Sequence, residues 1–126
     1  SILPNLIIPK IDHAIRKTKG KVVYVCNVMT QAGETAGYTA SDHVRAICRH
    51  IGEGSVDSIV VHNESIKQTV RDVYAEENAE PVIYDIEQLL EMGLQIIEGD
   101  IVEYTQNTVR HNTEKISKLL YSILKL

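Results

Sequence analysis

"KVVYVCNVMTQAGETAGYTASDHV", residues 21 to 44, passes from an apolar run through a polar loop into a segment of helical spacing. Apolar side chains at consecutive positions from Val22 to Cys26 require burial on both faces of a strand, as in a central strand of a parallel sheet with helices on either side. Beyond the loop, Val44, Ile47, Cys48 and Ile51 share one helical face, Thr39 and Asp42 stand in capping-box positions, and Gly52 supplies a stop. Strand, polar loop and helix therefore form the unit from which the fold is read.

The alternation continues outward. Upstream, Ile8, Ile11 and Ile15 space a short helix that ends near Gly20, with Pro9 tolerated in its first turn, where a backbone N–H has no helical partner to lose. Downstream, "VDSIVVHN" (56–63) reads as a second buried strand. "SIKQTVRDVYAEE" (65–77) reads as an amphipathic helix with Ile66, Val70, Val73 and Tyr74 inward. "EPVIYD" (80–85) is expected as a third strand, Asp85 to Met92 as a short helix, and "LQIIEGDIVE" (94–103) as one extended stretch. "TEKISKLLYSILKL" (113–126) closes the chain as a helix with a stripe of Ile116, Leu119, Leu120, Ile123 and Leu124. The pattern predicts an α/β fold: an open, mostly parallel, doubly wound (Rossmann-like) sheet with helices on both faces and right-handed crossovers.

With 126 residues, 44% of them hydrophobic, the chain has enough material for one core. Its net charge of -4 and its scattered lysines and arginines give no basic surface for a nucleic-acid backbone, so no nucleic-acid partner is expected. Cys26 and Cys48 lie in apolar contexts without a CxxC motif, which suits reduced, buried thiols in a cytoplasmic protein. The apolar runs fall far short of the ~20 residues needed to cross a bilayer, so no membrane insertion is expected. Ser1 opens the sequence without an initiator Met or targeting features, and a piece of a longer protein is expected.

Ligands of open α/β sheets bind beyond the carboxyl ends of the strands, and two such ends carry the polar stretches "NVMTQAGETAGY" (27–38) and "HNES" (62–65). A helix starting near Ser41 would offer backbone N–H groups and its positive dipole end to an anion. Gly33 and Gly37 would allow close backbone approach, and Thr30, Gln31, Thr35, Tyr38 and Thr39 could bond to ribose, pyrophosphate or sugar hydroxyls. Neither GxGxxG nor GxxxxGK[ST] is present, so the pattern alone leaves a ligand loop and a polar surface loop both open. His43 and His50 stand seven apart and no HExxH or Cys/His cluster occurs, so no metal site is expected and the five histidines read as ordinary polar residues. No nucleophile elbow or triad pattern assigns catalytic residues.

Three stretches, "SILPNLIIP" (1–9), "YVCNVMTQAGETAGYTASDHV" (24–44) and "VRHNTEKIS" (109–117), together resemble the carboxyl-terminal part of the bacterial gluconeogenesis-factor family, related to the archaeal 2-phospho-L-lactate transferases. The resemblance covers essentially the whole chain. Ala32 stands where the family usually has Pro, and Ala36 where it usually has Asp, which removes an acceptor for a ligand hydroxyl or cation. What the resemblance implies is that residues 1–126 are the carboxyl-terminal portion of a single nucleotide-binding α/β domain, whose glycine-rich motif lies upstream of Ser1. It also implies a uridine-diphosphate amino sugar or NAD-type ligand, and a regulatory role linking carbon metabolism and gluconeogenic growth to cell-wall synthesis and cell shape through unidentified protein partners. The transferases instead pass a phospholactyl group from a nucleotide-activated donor to a deazaflavin with magnesium; on that alternative Mg would be a cofactor.

By the same resemblance Asn5, Asn27, Thr30, Gln31, Gly33, Glu34, Thr35 and Arg110 are the candidate ligand-binding residues. Asn5 is either a ligand contact or a helix cap, Glu34 a ligand group or a solvated carboxylate, and Arg110 a bidentate partner for pyrophosphate or half of a surface ion pair. Thr113, beside Asn112 at the start of the closing helix, is read as a regulatory phosphosite near Arg110 and Lys115, or as a simple cap. The apolar stripe of that helix also suits a homo-oligomer.

Overall fold

The computed structural model describes residues 10–124, so Asn5 and the expected first turn around Ile8 lie outside the described residues. Its centre is a parallel sheet of β1 (Val23–Val25), β2 (Ser58–His62) and β3 (Gln95–Gly99), in that spatial order. Tyr24 pairs with Ile59 and Ile59 with Ile96; the next rung is Val25, Val60 and Ile97. All five residues of β2 are buried, which is why its sequence shows no polar alternation.

Successive side chains of a strand leave opposite faces, so this sheet feeds two cores. On one face Tyr24, Cys26, Ile59 and Val61 pack with α2 (Ala40–Ile51) and α4 (Ile86–Glu91). On the other, Val60 and Ile97 meet α3 (Gln68–Glu76) and α5 (Thr113–Leu124). The expected inward face of α2 is observed: Val44, Ile47, Cys48 and Ile51 are buried, and each of the three aliphatic side chains contributes about 1.5–3 kcal/mol when taken fully from water. Both cysteines are free and buried, and burial pushes the Cys26 thiol up to about 12. Helix α1 (Ile11–Lys17) leans on this layer through Ile15 and through Arg16, which donates to the Ile51 carbonyl at 3.0 Å.

Four expectations are corrected. Helix α1 stops at Lys17, with extended Thr18 after it, and Ile11 stays exposed. Val73 is exposed rather than inward, because Val70 and Tyr74 form the inner stripe of α3, with Ile66 packed beside them just ahead of its first turn. "EPVIYD" is not a third strand of the sheet. Pro81 has no N–H for a ladder, and the segment bonds to loops instead: Thr30 donates to Glu80, Val82 to Val28 and Ala40 to Ile83, at 2.8, 2.8 and 2.9 Å, around one antiparallel bridge between Met29 and Pro81. The stretch 94–103 is not continuous either. It turns at Asp100, where the Ile101 N–H donates to His62 Nδ1 at 3.2 Å, and then enters a hairpin of β4 (Val102–Thr105) and β5 (Thr108–His111). Gln106 begins the two-residue hairpin loop with φ 55, a conformation for which Gln carries no sequence signal.

Candidate functional site

The chain leaves β1 and folds back across the carboxyl edge of the sheet, where β5 meets it. Asn27 accepts from the Tyr24 hydroxyl at 3.3 Å. Thr30 is buried and pinned twice, donating its N–H to the Glu80 carbonyl at 2.8 Å and accepting the Glu80 N–H on Oγ1 at 3.0 Å. From the hairpin side, His111 Nε2 donates to the Cys26 carbonyl at 3.0 Å, and the Tyr74 hydroxyl exchanges bonds with the Val109 backbone at 3.3 and 3.4 Å. These bonds fix the walls of a depression of about 370 Å³ lined by Asn27, Thr30, Gln31, Tyr74, Arg110 and His111. Four of the sequence-predicted residues thus converge from opposite ends of the chain. Arg110 is exposed and has no ion-pair partner among the described residues.

Gly33, Glu34 and Thr35 do not line that depression. They form a turn of their own, in which Thr35 Oγ1 accepts the Gln31 N–H at 2.8 Å, Thr35 returns its N–H to the Gln31 carbonyl at 2.9 Å, and Gly33 takes φ 81. Glu34 is exposed beside it. The start of α2 is not open to an anion either. Thr39 and Asp42 complete the capping box, with bonds of 3.3 and 3.0 Å, and Asp85 arrives from the far segment to accept both the Ser41 N–H, at 3.0 Å, and the Ser41 hydroxyl. Burial raises the Asp85 pKa, but the Ser41 bonds outweigh it and hold the carboxyl below its ordinary value. A carboxylate of the protein thus occupies the anion position expected for a ligand, and sequence periodicity gave no hint that Asp85 would reach it.

At α5 the cap falls to Asn112, whose Oδ1 accepts the Lys115 N–H at 3.0 Å. Thr113 is exposed, and its hydroxyl makes no hydrogen bond among the described residues. Lys115 is engaged, with Nζ 2.8 Å from the Asp100 carboxylate and 3.0 Å from the Val102 carbonyl.

The carboxyl end of β2 opens a second cavity, of about 440 Å³, bordered by His62, Asn63, Arg71, Val82, Tyr84 and Glu98. Val28 borders both this cavity and the Arg110 depression. His62 is only 3% exposed. Burial lowers its pKa more than the nearby Asp100 carboxylate, 3.8 Å away, raises it. Because Nδ1 accepts from Ile101, the neutral ring carries its proton on Nε2, and that atom is buried with no partner among the described residues. Of the five histidines read as ordinary polar residues, His62 and His43 are buried, the latter donating Nδ1–H to the Thr39 carbonyl at 2.9 Å. The period of β2 held the signal for His62, since it shares a face with Val60. Among the described residues no group of three His, Cys, Asp or Glu side chains is placed to hold a metal ion, and no helix is long and apolar enough to cross a membrane.

The family model described as "2-phospho-L-lactate transferase CofD" matches residues 1–102. The chain belongs to that family. Similar relatives are the gluconeogenesis factor of Bacillus subtilis, 49% identical over 99% of this chain, and that of Halalkalibacterium halodurans, 49% identical over 95%. The chain spans 39% and 37% of those two proteins. A solved member of the UPF0052 family from Bacillus halodurans superposes with a TM-score of 0.90 at 50% identity, over 94% of this chain and 38% of that one. The open, mostly parallel α/β architecture is thus that of CofD-family proteins.

Proposed function

We propose that residues 1–126 are a portion of a single nucleotide-binding domain, and that the Arg110 depression takes the diphosphate of a uridine-diphosphate amino sugar or an NAD-type dinucleotide. The whole protein would then be a cytoplasmic regulator whose occupancy links gluconeogenic carbon metabolism to cell-wall synthesis and cell shape. One observation carries the reading: Arg110, with no ion-pair partner among the described residues, lines the same depression as Asn27, Thr30 and Gln31 at the carboxyl edge of a parallel sheet. A planar guanidinium with free donors suits a pyrophosphate in two-point contact. In this reading Asn5 adds a contact, the exposed turn of Gly33, Glu34 and Thr35 folds over the ligand, and a phosphate on Thr113 competes for Arg110. The exposed Tyr121 and Ile123 of α5 offer a surface to a second copy or to a regulatory partner, which light scattering at several concentrations tests.

The test is calorimetric titration of the full-length protein with UDP-N-acetylglucosamine and with NAD. Arg110→Ala is expected to weaken the bound ligand by ~1–3 kcal/mol without unfolding the domain. Unchanged affinity in a folded variant removes Arg110 from the site.

The match over residues 1–102 favours a second reading, transfer from a nucleotide-activated donor. Magnesium would then be required, and the acidic side chains of the described loop do not fit it: Asp42 and Asp85 are committed to the start of α2, and Glu34 stands exposed on its turn. Incubating full-length protein with activated phospholactate, magnesium and a deazaflavin decides between the readings; product formation establishes the transferase.

A further inference from the structure

We infer that the cavity at the carboxyl end of β2 holds a neutral, polyhydroxylated ring of the same ligand, with His62 and Asn63 as hydrogen-bond donors. This rests on the nucleotide reading of the neighbouring depression but concerns different residues and a different part of the ligand.

The lining sets the chemistry. Pro81, Val82 and Ile86 supply apolar lining, and Asn63, Glu64 and Glu98 polar lining. Two carboxylates repel phosphate groups but accept hydroxyl protons, and an amide both donates and accepts. Apolar lining beside such groups packs against the C–H face of a sugar ring, so a ribose or hexosamine suits this lining better than a phosphate. Arg71, which also borders the cavity, has no ion-pair partner among the described residues and supplies further donors to ring or glycosidic oxygens.

His62 gives the independent observation. Its ring is fixed by the Ile101 N–H, so Nε2–H is a buried donor with no acceptor among the described residues, on a side chain that borders the cavity. Native structures retain few such groups, because a donor stripped of water and left unpaired opposes folding. A ring hydroxyl, placed by a small adjustment of the surrounding side chains, provides the missing acceptor. Adjacency completes the argument: Val28 borders both cavities, which makes the ring cavity the neighbour of the Arg110 depression.

The experiment uses full-length protein. Long-range ¹H–¹⁵N spectra of the His62 imidazole are followed during titration with free N-acetylglucosamine and with uridine, and affinities for UDP-N-acetylglucosamine and UDP are measured for Asn63→Ala, His62→Gln and Arg110→Ala. The expected result is a shift of the His62 signals with one free ring, and about a tenfold loss of nucleotide-sugar affinity in Asn63→Ala. Loss for the nucleotide sugar but not for UDP assigns the cavity to the hexosamine; loss for both assigns it to the ribose. Asn63 is exposed, so this arm stands even where His62→Gln fails to fold. If neither ring moves His62 and Asn63→Ala binds as wild type, the ring site is overturned, whatever Arg110→Ala does. If Arg110→Ala binds as wild type while His62 still shifts, the ring site holds and the diphosphate assignment falls.

Discussion

At the start of α2, Thr39, Asp42 and Asp85 gather from two segments to satisfy the backbone donors, whereas at the start of α5 Asn112 alone provides the described side-chain cap. The start of α2 has the sequence of a ligand site because a glycine-bearing polar loop runs into it, yet its own carboxylates fill it. The start of α5 has the sequence of a plain cap, and it leaves the neighbouring Arg110 without an ion-pair partner among the described residues, beside a depression. The difference teaches that a helix terminus in a loop-rich region serves the fold when side chains close it from across the chain. Where closure is local, adjacent charge stays available.

Removing the distant closure is expected to cost most. Asp85→Ala leaves the Ser41 N–H without its acceptor and the fully buried Ser41 hydroxyl with only Thr39 Oγ1, 3.2 Å away, to accept its proton, and a loss of about 2 kcal/mol is expected in urea unfolding. A loss below about 0.5 kcal/mol would show that water replaces the carboxylate and that the two helix starts are alike. The same contact has a pH signature. The folded-state pKa of Asp85 is lowered, so its ionised form stabilises the fold above about pH 4, and that contribution is lost as pH falls through the lowered value. Asp85→Asn is expected to flatten this acid limb relative to wild type; an unaltered limb assigns the acid sensitivity elsewhere.

Smaller effects sharpen the other side. Asn112→Ala is expected to destabilise by ~1 kcal/mol, the usual value of one cap, measured by the same unfolding. Thr113→Ala should change stability least, by less than about 0.5 kcal/mol, because its exposed hydroxyl bonds to nothing among the described residues. A larger loss would mean that Thr113 shares the capping role. Thr113→Glu, with Arg110 three positions earlier, is expected to weaken nucleotide-sugar binding while leaving the unfolding midpoint in place.

The sheet was legible because β1 and β2 are apolar on both faces, and α2 because its stripe, capping box and stop glycine agree. The hairpin was hidden by Gln106, which takes a left-handed conformation without the glycine or asparagine that announces one. "EPVIYD" misled because alternation reports which side chains are buried and says nothing of where the main-chain bonds go. In the site, the converging group of Asn27, Thr30, Gln31 and Arg110 was named from the sequence, whereas the turn of Gly33 to Thr35 proved to be bonded to itself. Asp85 and His62 were missed because their roles depend on contacts 44 and 39 residues away, which no local period encodes.

The strap from Glu80 to Asp85 lacks regular secondary structure, yet it is tied in succession to Thr30, Val28, Ala40 and Ser41. A segment laced in this way opens as a unit. In hydrogen exchange, the amides of Thr30, Ala40, Ser41, Glu80 and Val82 should exchange with one common opening free energy, closer to that of the sheet than to that of an ordinary loop. Occupancy felt at Thr30 would then slow exchange at the first turn of α2, on the far side of the strap, without any rearrangement of the backbone between them.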